Sequence, residues 1–259
     1  MTIRSTERGA VRAIGFDRAE RRNAITAQMY TMLAEALEDA SRTEGVKVVV
    51  IHGHEGVFTA GNDLEDFLND PPTGDTAPVF RFLKTLATFR LPVIAAVSGP
   101  AVGVGTTLLL HCDLVYAADT ARFSLPFTNL GLCPEAASSY LLPVLAGYPR
   151  AAEKLLFGEP FGPEEALAMG LINEIQPADK VLPHALARAA ALAERPLVSL
   201  MQTKALMKAP LKAGVDRAMR DENVAFGRML AEPAAREAFT AFLGKRKPDF
   251  ARIEAGGDG

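Results

Sequence analysis

The chain has 259 residues, 49% of them hydrophobic, and a formal net charge of −3. That length fits one large domain, or a domain plus an appendage, with enough apolar material for a sizeable core. The slightly acidic balance argues against nucleic acid as a partner, because such surfaces need clustered positive charge.

Two cysteines, Cys112 and Cys133, make no disulfide framework, which points to a reduced, cytoplasmic setting. The first residues form no apolar signal segment, and the closing Gly256-Gly257-Asp258-Gly259 is no peroxisomal address. No apolar run nears the roughly 20 residues needed to span a bilayer, so no membrane partner is expected.

In chain order, residues 11–16 read as a short strand and residues 18–22 as a charged turn. Thr26 is placed to cap a helix in which Met29, Leu33, Ala36, Leu37 and Ala40 recur at helical spacing, with Gly45 as its stop. The β-branched run 46–52 predicts a buried parallel strand. A loop with Gly53, Gly56 and Gly61 ends in Thr59-Ala60-Gly61-Asn62-Asp63-Leu64. Asp63, Glu65 and Asp66 there suit the first turn of a helix.

Residues 69–78 read as a mobile excursion. Val79, Leu83, Leu86 and Ala87 mark the next helix. The centre of the chain is Val93-Ile94-Ala95-Ala96-Val97, then Ser98-Gly99-Pro100 and Gly103-Val104-Gly105: a buried strand, a tight turn and the start of a buried helix. Residues 114–117 predict another strand, 123–132 a loop or short strand, and 138–145, 150–157 and 163–169 helices. A last strand is expected at 171–175 and an amphipathic helix at 179–195. From Pro196 onward only helical patterns appear, over 197–209, 215–231 and 233–243.

The alternation predicts a parallel α/β core over residues 1–195, followed by an all-helical region, 196–259. That region lacks a core of its own, so it is expected to dock on the core or on another subunit.

Two features bear on chemistry. A glycine turn at a helix start leaves backbone N–H groups free to meet a negatively charged oxygen. Glu135 stands alone among small and apolar neighbours in Leu132-Cys133-Pro134-Glu135-Ala136-Ala137-Ser138. Together they suggest proton abstraction beside a carbonyl. By spacing alone Glu135 could equally be the N-terminal carboxylate of the helix that follows.

Gly103-x-Gly105 lacks the third glycine and the acidic residue of a dinucleotide fingerprint. His52, His54, His111 and His184 match no zinc spacing and read as structural or surface residues. No metal or cofactor is expected. Lys245-Arg246-Lys247 reads as a solvated basic cluster.

The chain resembles the enoyl-CoA hydratase/isomerase (crotonase) superfamily over nearly its full length. The matching pieces are Arg22-Asn23-Ala24, Phe58-Thr59-Ala60-Gly61-Asn62-Asp63-Leu64, residues 98–105 with Cys112-Asp113, and Pro163-Glu164-Glu165-Ala166 through Gly170-Leu171-Ile172. The resemblance implies a spiral of ββα units and a helical C-terminal region that builds a homotrimer or a dimer of trimers. It also implies an acyl-CoA thioester substrate, with coenzyme A entering as part of that substrate. The carbonyl oxygen would sit between the backbone N–H groups of Asn62 and Val104. The adenine end would lie near Arg22, Ala24, Ala60, Asp63 and Leu64.

Hydratase-like members carry two glutamates that hold water; here Thr107 and Phe127 stand in their places. Residues 127–140 instead resemble the Δ3,Δ2-enoyl-CoA isomerase branch, where one glutamate at the Glu135 position moves the proton. An enoyl-CoA hydratase, another thioester enzyme of the superfamily, or a non-catalytic acyl-CoA binder are the alternatives.

Overall fold

Residues 2–54, 56–69, 71–72 and 77–254 are described by the structure, a computed structural model. Residues 70 and 73–76 of the excursion expected at 69–78 lie outside these residues.

Strand β2 (Val11–Phe16) pairs antiparallel with β1 (Ile3–Arg8) and parallel with β3 (Val48–His52). Then β4 (Val93–Val97), β6 (Leu114–Ala118) and β8 (Glu174–Gln176) follow in parallel, giving the order β1-β2-β3-β4-β6-β8. A smaller parallel pair joins β5 (Pro100–Val102) to β7 (Arg122–Ser124). The chain therefore alternates between two sheets, β4 into β5 and β6 into β7, which is the ββα spiral that the resemblance implied. At the first crossing Gly99 has φ +88°, and a Cβ there would meet Gly56 O at 1.9 Å. Only glycine fits.

Alternate residues of the main sheet face opposite ways. Val48, Val50, Ile94 and Ala96 pack under Val181, Ala185 and Ala189 of α8 (Val181–Ala193). Val49, Ile51, Ala95 and Val97 face the larger core with α1 (Ala27–Arg42) and α3 (Pro78–Ala87). Burial on both faces explains why β3 and β4 read as unbroken apolar runs. Thr26 caps α1 as expected, its side chain accepting from Met29 N at 3.3 Å. Asp63 caps α2 (Leu64–Asn69), accepting from the N–H groups of Glu65 and Asp66 at 3.1 and 3.3 Å.

The structure departs from the sequence reading in several places. Strand β1 was not expected: only Ile3 turns inward, so no alternation announces it. The buried helix after Gly103 is one α turn, α4 (Val104–Thr107), continued by a 3-10 turn at Leu108–His111. The last strand starts at Glu174 rather than at 171. Asn173 enters the ladder partly through its side chain, accepting from Val115 N at 2.7 Å while its own N–H donates to Val115 O at 2.8 Å.

Helices α5 (Ser138–Ala146) and α6 (Tyr148–Phe157) pack on each other, and α7 (Pro163–Ala168) packs on β7. The helical region holds α9 (Leu197–Lys208), α10 (Lys212–Leu230), α11 (Pro233–Leu243) and α12 (Phe250–Glu254), the last unannounced in sequence. It docks on the core: Phe226, Ala235 and Phe239 belong to the same apolar cluster as the sheet. Lys204 of α9 is buried, with Nζ 2.6 Å from Asp113 Oδ2 and 2.8 Å from Leu91 O. Among the described residues no helix is long and apolar enough to cross a membrane.

Candidate active site

One cleft of about 520 Å³ gathers Arg22, Ala24, Ala60, Asn62, Asp63, Leu64 and Val104. These residues come from segments some eighty positions apart, and a hydrogen-bonded loop pair holds them together. Arg22 and Asn23 are both left-handed, at φ +52° and +55°. The buried Asn23 side chain makes that turn rigid. Its Oδ1 accepts from Arg18 N at 2.9 Å, and Nδ2 donates to Val57 O and Phe58 O at 3.2 and 3.1 Å. In return Thr59 Oγ1 donates to Asn23 O at 2.7 Å, and Ala60 N donates to Arg22 O at 3.0 Å. Arg18 reaches across to Asp63 Oδ2 at 2.7 Å and Ala24 O at 2.8 Å. Gly61, at φ +86°, lies so close to the glycine turn that a Cβ would stand 2.7 Å from Val102 O.

The two expected oxyanion donors sit on facing segments of this pair. Ile25 N donates to Gly61 O and Asp63 N to Ile25 O, so Asn62 N between them is skipped. Val104 N is the first amide of α4. Neither has a hydrogen-bond partner among the described residues. The Asn62 side chain is fixed from below, its Oδ1 accepting from the hydroxyl of the buried Tyr30. Burial, then the nearby carboxylates of Glu135 and Asp66, push the Tyr30 hydroxyl well above its ordinary pKa, so it stays a donor.

Glu135 is 3% exposed. Its Oε1 accepts a hydrogen bond from Thr107 Oγ1, and Oε2 has no hydrogen-bond partner among the described residues. Thr107 lies one turn beyond Val104 on α4, a rise of about 5 Å, so the carboxylate is anchored close to the glycine turn. Burial pushes its pKa up to about 8; the Thr107 hydrogen bond opposes this and the charge of Glu222 adds to it. A buried carboxyl poised near neutrality is a candidate for proton transfer.

Neither Glu135 nor Thr107 lines the open cleft. Glu135 is not the cap of α5. The chain passes through Ala136 and Ala137, both left-handed, before that helix begins at Ser138.

Phe127, expected from the resemblance where hydratases carry a second glutamate, lines the cleft. The cysteines are free, and burial raises Cys112 and Cys133 to about 12 and 11, which keeps both as protonated thiols. A second cavity of about 480 Å³, bordered by α9 and α10, contains none of the candidate site residues.

Several site residues carried no signal in sequence. Phe226 and Phe239, from α10 and α11, form the aromatic side of the cleft. Phe226 meets Phe67 of α2 edge to face at 6.4 Å. Arg246, expected in a solvated cluster, lines the cleft instead and grips Glu237 with both guanidinium nitrogens at 2.5 and 2.9 Å. Tyr30 could have been found as the one polar-tipped residue on the buried face of α1. Glu222 and His111, which brace the segment after Glu135, act through tertiary contacts alone.

Residues 6–252 match the family model described as enoyl-CoA hydratase/isomerase. The chain belongs to this family. It is 42% identical over 178 residues to enoyl-CoA delta isomerase 2 of Rattus norvegicus, covering 66% of this chain and 45% of the rat protein. The human protein of the same name is 33% identical over 253 residues, 95% of this chain and 64% of that one. The chain thus spans about half to two thirds of the length of these isomerases. The 2,3-dehydroadipyl-CoA hydratase of Escherichia coli is 32% identical, over 90% of this chain and 92% of the hydratase.

Among solved structures, an enoyl-CoA hydratase/isomerase from Pseudoalteromonas atlantica superposes with a TM-score of 0.92 at 38% identity, covering 96% of this chain and all of that one. Pseudomonas aeruginosa OdaA gives 0.91 at 43% identity, covering 93% and 98%.

Proposed function

We propose that the chain moves the double bond of a 3-enoyl-CoA to give the 2-trans-enoyl-CoA, with Glu135 as the base at both ends. The observation that carries this reading is the buried carboxylate of Glu135, held by Thr107 beside the Val104 turn. Thr107 and Phe127 fill the two positions where water-holding glutamates would stand. The isomerases among its relatives point the same way.

In the proposed reaction the ionised Glu135 takes a proton from C2. The electron pair moves into the thioester and leaves a dienolate, whose oxygen accepts from the N–H groups of Asn62 and Val104. Glu135, now protonated, returns the proton to C4. Each amide donor would contribute about 3 kcal/mol, and the base about 10²–10⁴-fold in rate. With a pKa of about 8, roughly a tenth of Glu135 is ionised at pH 7. The acyl chain has to displace side chains of the cleft wall to reach it.

In the same proposal Arg22, Ala24, Ala60, Asp63 and Leu64 receive the adenine end of coenzyme A, which arrives as part of the substrate. No metal or redox group takes part. Residues 196–259 build a homotrimer or a dimer of trimers around the 1–195 core, and the protein works in the cytoplasm.

The test is a paired assay. Wild type and Glu135→Gln are given 3-enoyl-CoA and, separately, 2-trans-enoyl-CoA. Conversion of the 3-enoyl ester by wild type alone is the expected result. Formation of 3-hydroxyacyl-CoA instead would identify a hydratase, as the name of the Escherichia coli relative suggests. Inertness toward both, with tight binding of the esters, would identify a binder.

A further inference from the structure

The segment that carries Glu135 is held in an unusual shape from a distance. Ala136 and Ala137 follow it at φ +60° and +56°, a backbone region that residues with a side chain rarely adopt. Both are buried, and alanine has no polar group with which to stabilise such a turn. The N-terminus of α5, which comes next, has no capping side chain of its own.

Both needs are met by Glu222, a buried residue of α10 that lies 85 positions further along than Ala137. Its Oε2 accepts from Ala137 N at 2.6 Å, and its Oε1 from Ser139 N at 2.9 Å and from the Ser139 hydroxyl. On the other side of the same turn, His111 Nε2 donates to Ala136 O at 2.7 Å, and the Ser138 hydroxyl donates to Glu135 O at 2.6 Å.

We propose that Glu222 is a positioning residue of the site: by gripping Ala137 and Ser139 from α10 it fixes the left-handed turn that aims the Glu135 carboxylate at Thr107 and the Val104 turn. This inference rests on Glu135 being the base.

Glu222 also carries charge toward Glu135. The titratable and polar groups facing Glu135 are Thr107 from α4, Tyr30 from α1, Glu222 from α10 and, in its own loop, Cys133. Burial takes His111 down to about 4, so it is neutral at working pH. Tyr30 and Cys133 stay protonated. Burial pushes Glu222 itself up, while the three hydrogen bonds it accepts favour its ionised form. The ionised Glu222 is therefore a like charge opposing a second one on Glu135.

Glu222→Gln keeps the size but loses the charge and one acceptor. The experiment follows Glu135 directly in protein labelled with carboxyl-¹³C glutamate, its resonance assigned by its absence in Glu135→Gln. Steady-state kinetics on 3-enoyl-CoA run in parallel. Glu222→Gln is expected to lower the Glu135 titration midpoint by about one pH unit and to cut kcat by about tenfold to a hundredfold with KM little changed. Glu222→Asp, which keeps the charge, is expected to restore most of the midpoint. Ser139→Ala, which removes only the hydroxyl donor, covers the case in which Glu222→Gln fails to fold, and a drop in kcat at constant KM is expected there too.

An unmoved midpoint with unmoved kcat in Glu222→Gln, while wild type isomerises its substrate, overturns the positioning role and leaves the isomerase reading intact. If wild type is inert toward 3-enoyl-CoA, the isomerase reading falls. The displaced midpoint would then still show that Glu222 governs Glu135.

Discussion

The hydroxyl of Thr107 donates to Oε1 of Glu135, 28 residues away in the chain. Thr107 occupies a position where hydratase-like relatives are expected to carry a carboxylate. Exchanging an acid for a hydroxyl turns a second negative charge into a donor, and a donor favours the ionised form of its neighbour. Thr107→Val keeps the shape and removes the donor. The Glu135 pKa should then rise above about 8, and kcat at neutral pH should drop by about tenfold. A pH–rate profile checks this; an acidic limb at the wild-type position would show that the bond has no influence on the base.

Glu135 should also make stability depend on pH. In the folded chain it keeps its proton up to about pH 8, against an ordinary value of 4.5. Its folded pKa is raised, so the stability linked to the bound proton is full below about 4.5 and is lost as pH rises through about 8. The loss at alkaline pH is on the order of a few kcal/mol. Glu135→Gln is neutral throughout and escapes it. The variant should melt close to wild type in mild acid and several degrees higher at alkaline pH. Parallel melting curves across the pH range would contradict the buried, proton-retaining state.

Gly61 tests the contact between the two loops. Gly61→Ala puts a Cβ 2.7 Å from Val102 O in a backbone of φ +86°. The expected cost is about 1–3 kcal/mol in urea unfolding. Turnover should suffer more than stability, because the neighbouring Asn62 amide shifts relative to Val104. A variant with normal kcat would argue against Asn62 N as a donor to the substrate.

Lys204 tests how the helical region is latched. Its Nζ meets Asp113 Oδ2 at 2.6 Å, and that carboxylate also accepts from Val93 N at 2.7 Å. Lys204→Met strands a largely buried carboxylate and should cost about 3–5 kcal/mol. Lys204→Met combined with Asp113→Asn should recover part of this. Chemical denaturation measures both, and a loss below about 1 kcal/mol for the single variant would place the pair among ordinary surface bridges.

The parts of the fold that follow local rules were legible. Thr26 and the spacing from Met29 to Ala40 announce α1, and β-branched runs buried on both faces announce β3 and β4. The glycine turn and the isolated Glu135 were visible for the same reason: each is unusual against its immediate neighbours. Strand β1 was hidden because five of its six residues face solvent. Glu222 was hidden differently. In Arg220-Asp221-Glu222-Asn223 it looks like any charge on an exposed helix face, and only the tertiary fold brings it to Ala137. The two left-handed alanines gave no warning either, because that conformation is imposed from outside rather than chosen by alanine.

The cleft takes one wall from residues 21–67, another from 102–132 and its aromatic side from 226–248. This division has a consequence for synthesis on the ribosome. A nascent chain that has emerged as far as Gln176 already holds strands β1 to β8, yet it lacks Phe226 and Phe239 on the cleft and Glu222 behind Glu135. Retention of acyl-CoA should therefore appear late in translation, well after the sheets have formed. Until then the apolar surface destined for α10 and α11 stands open to solvent.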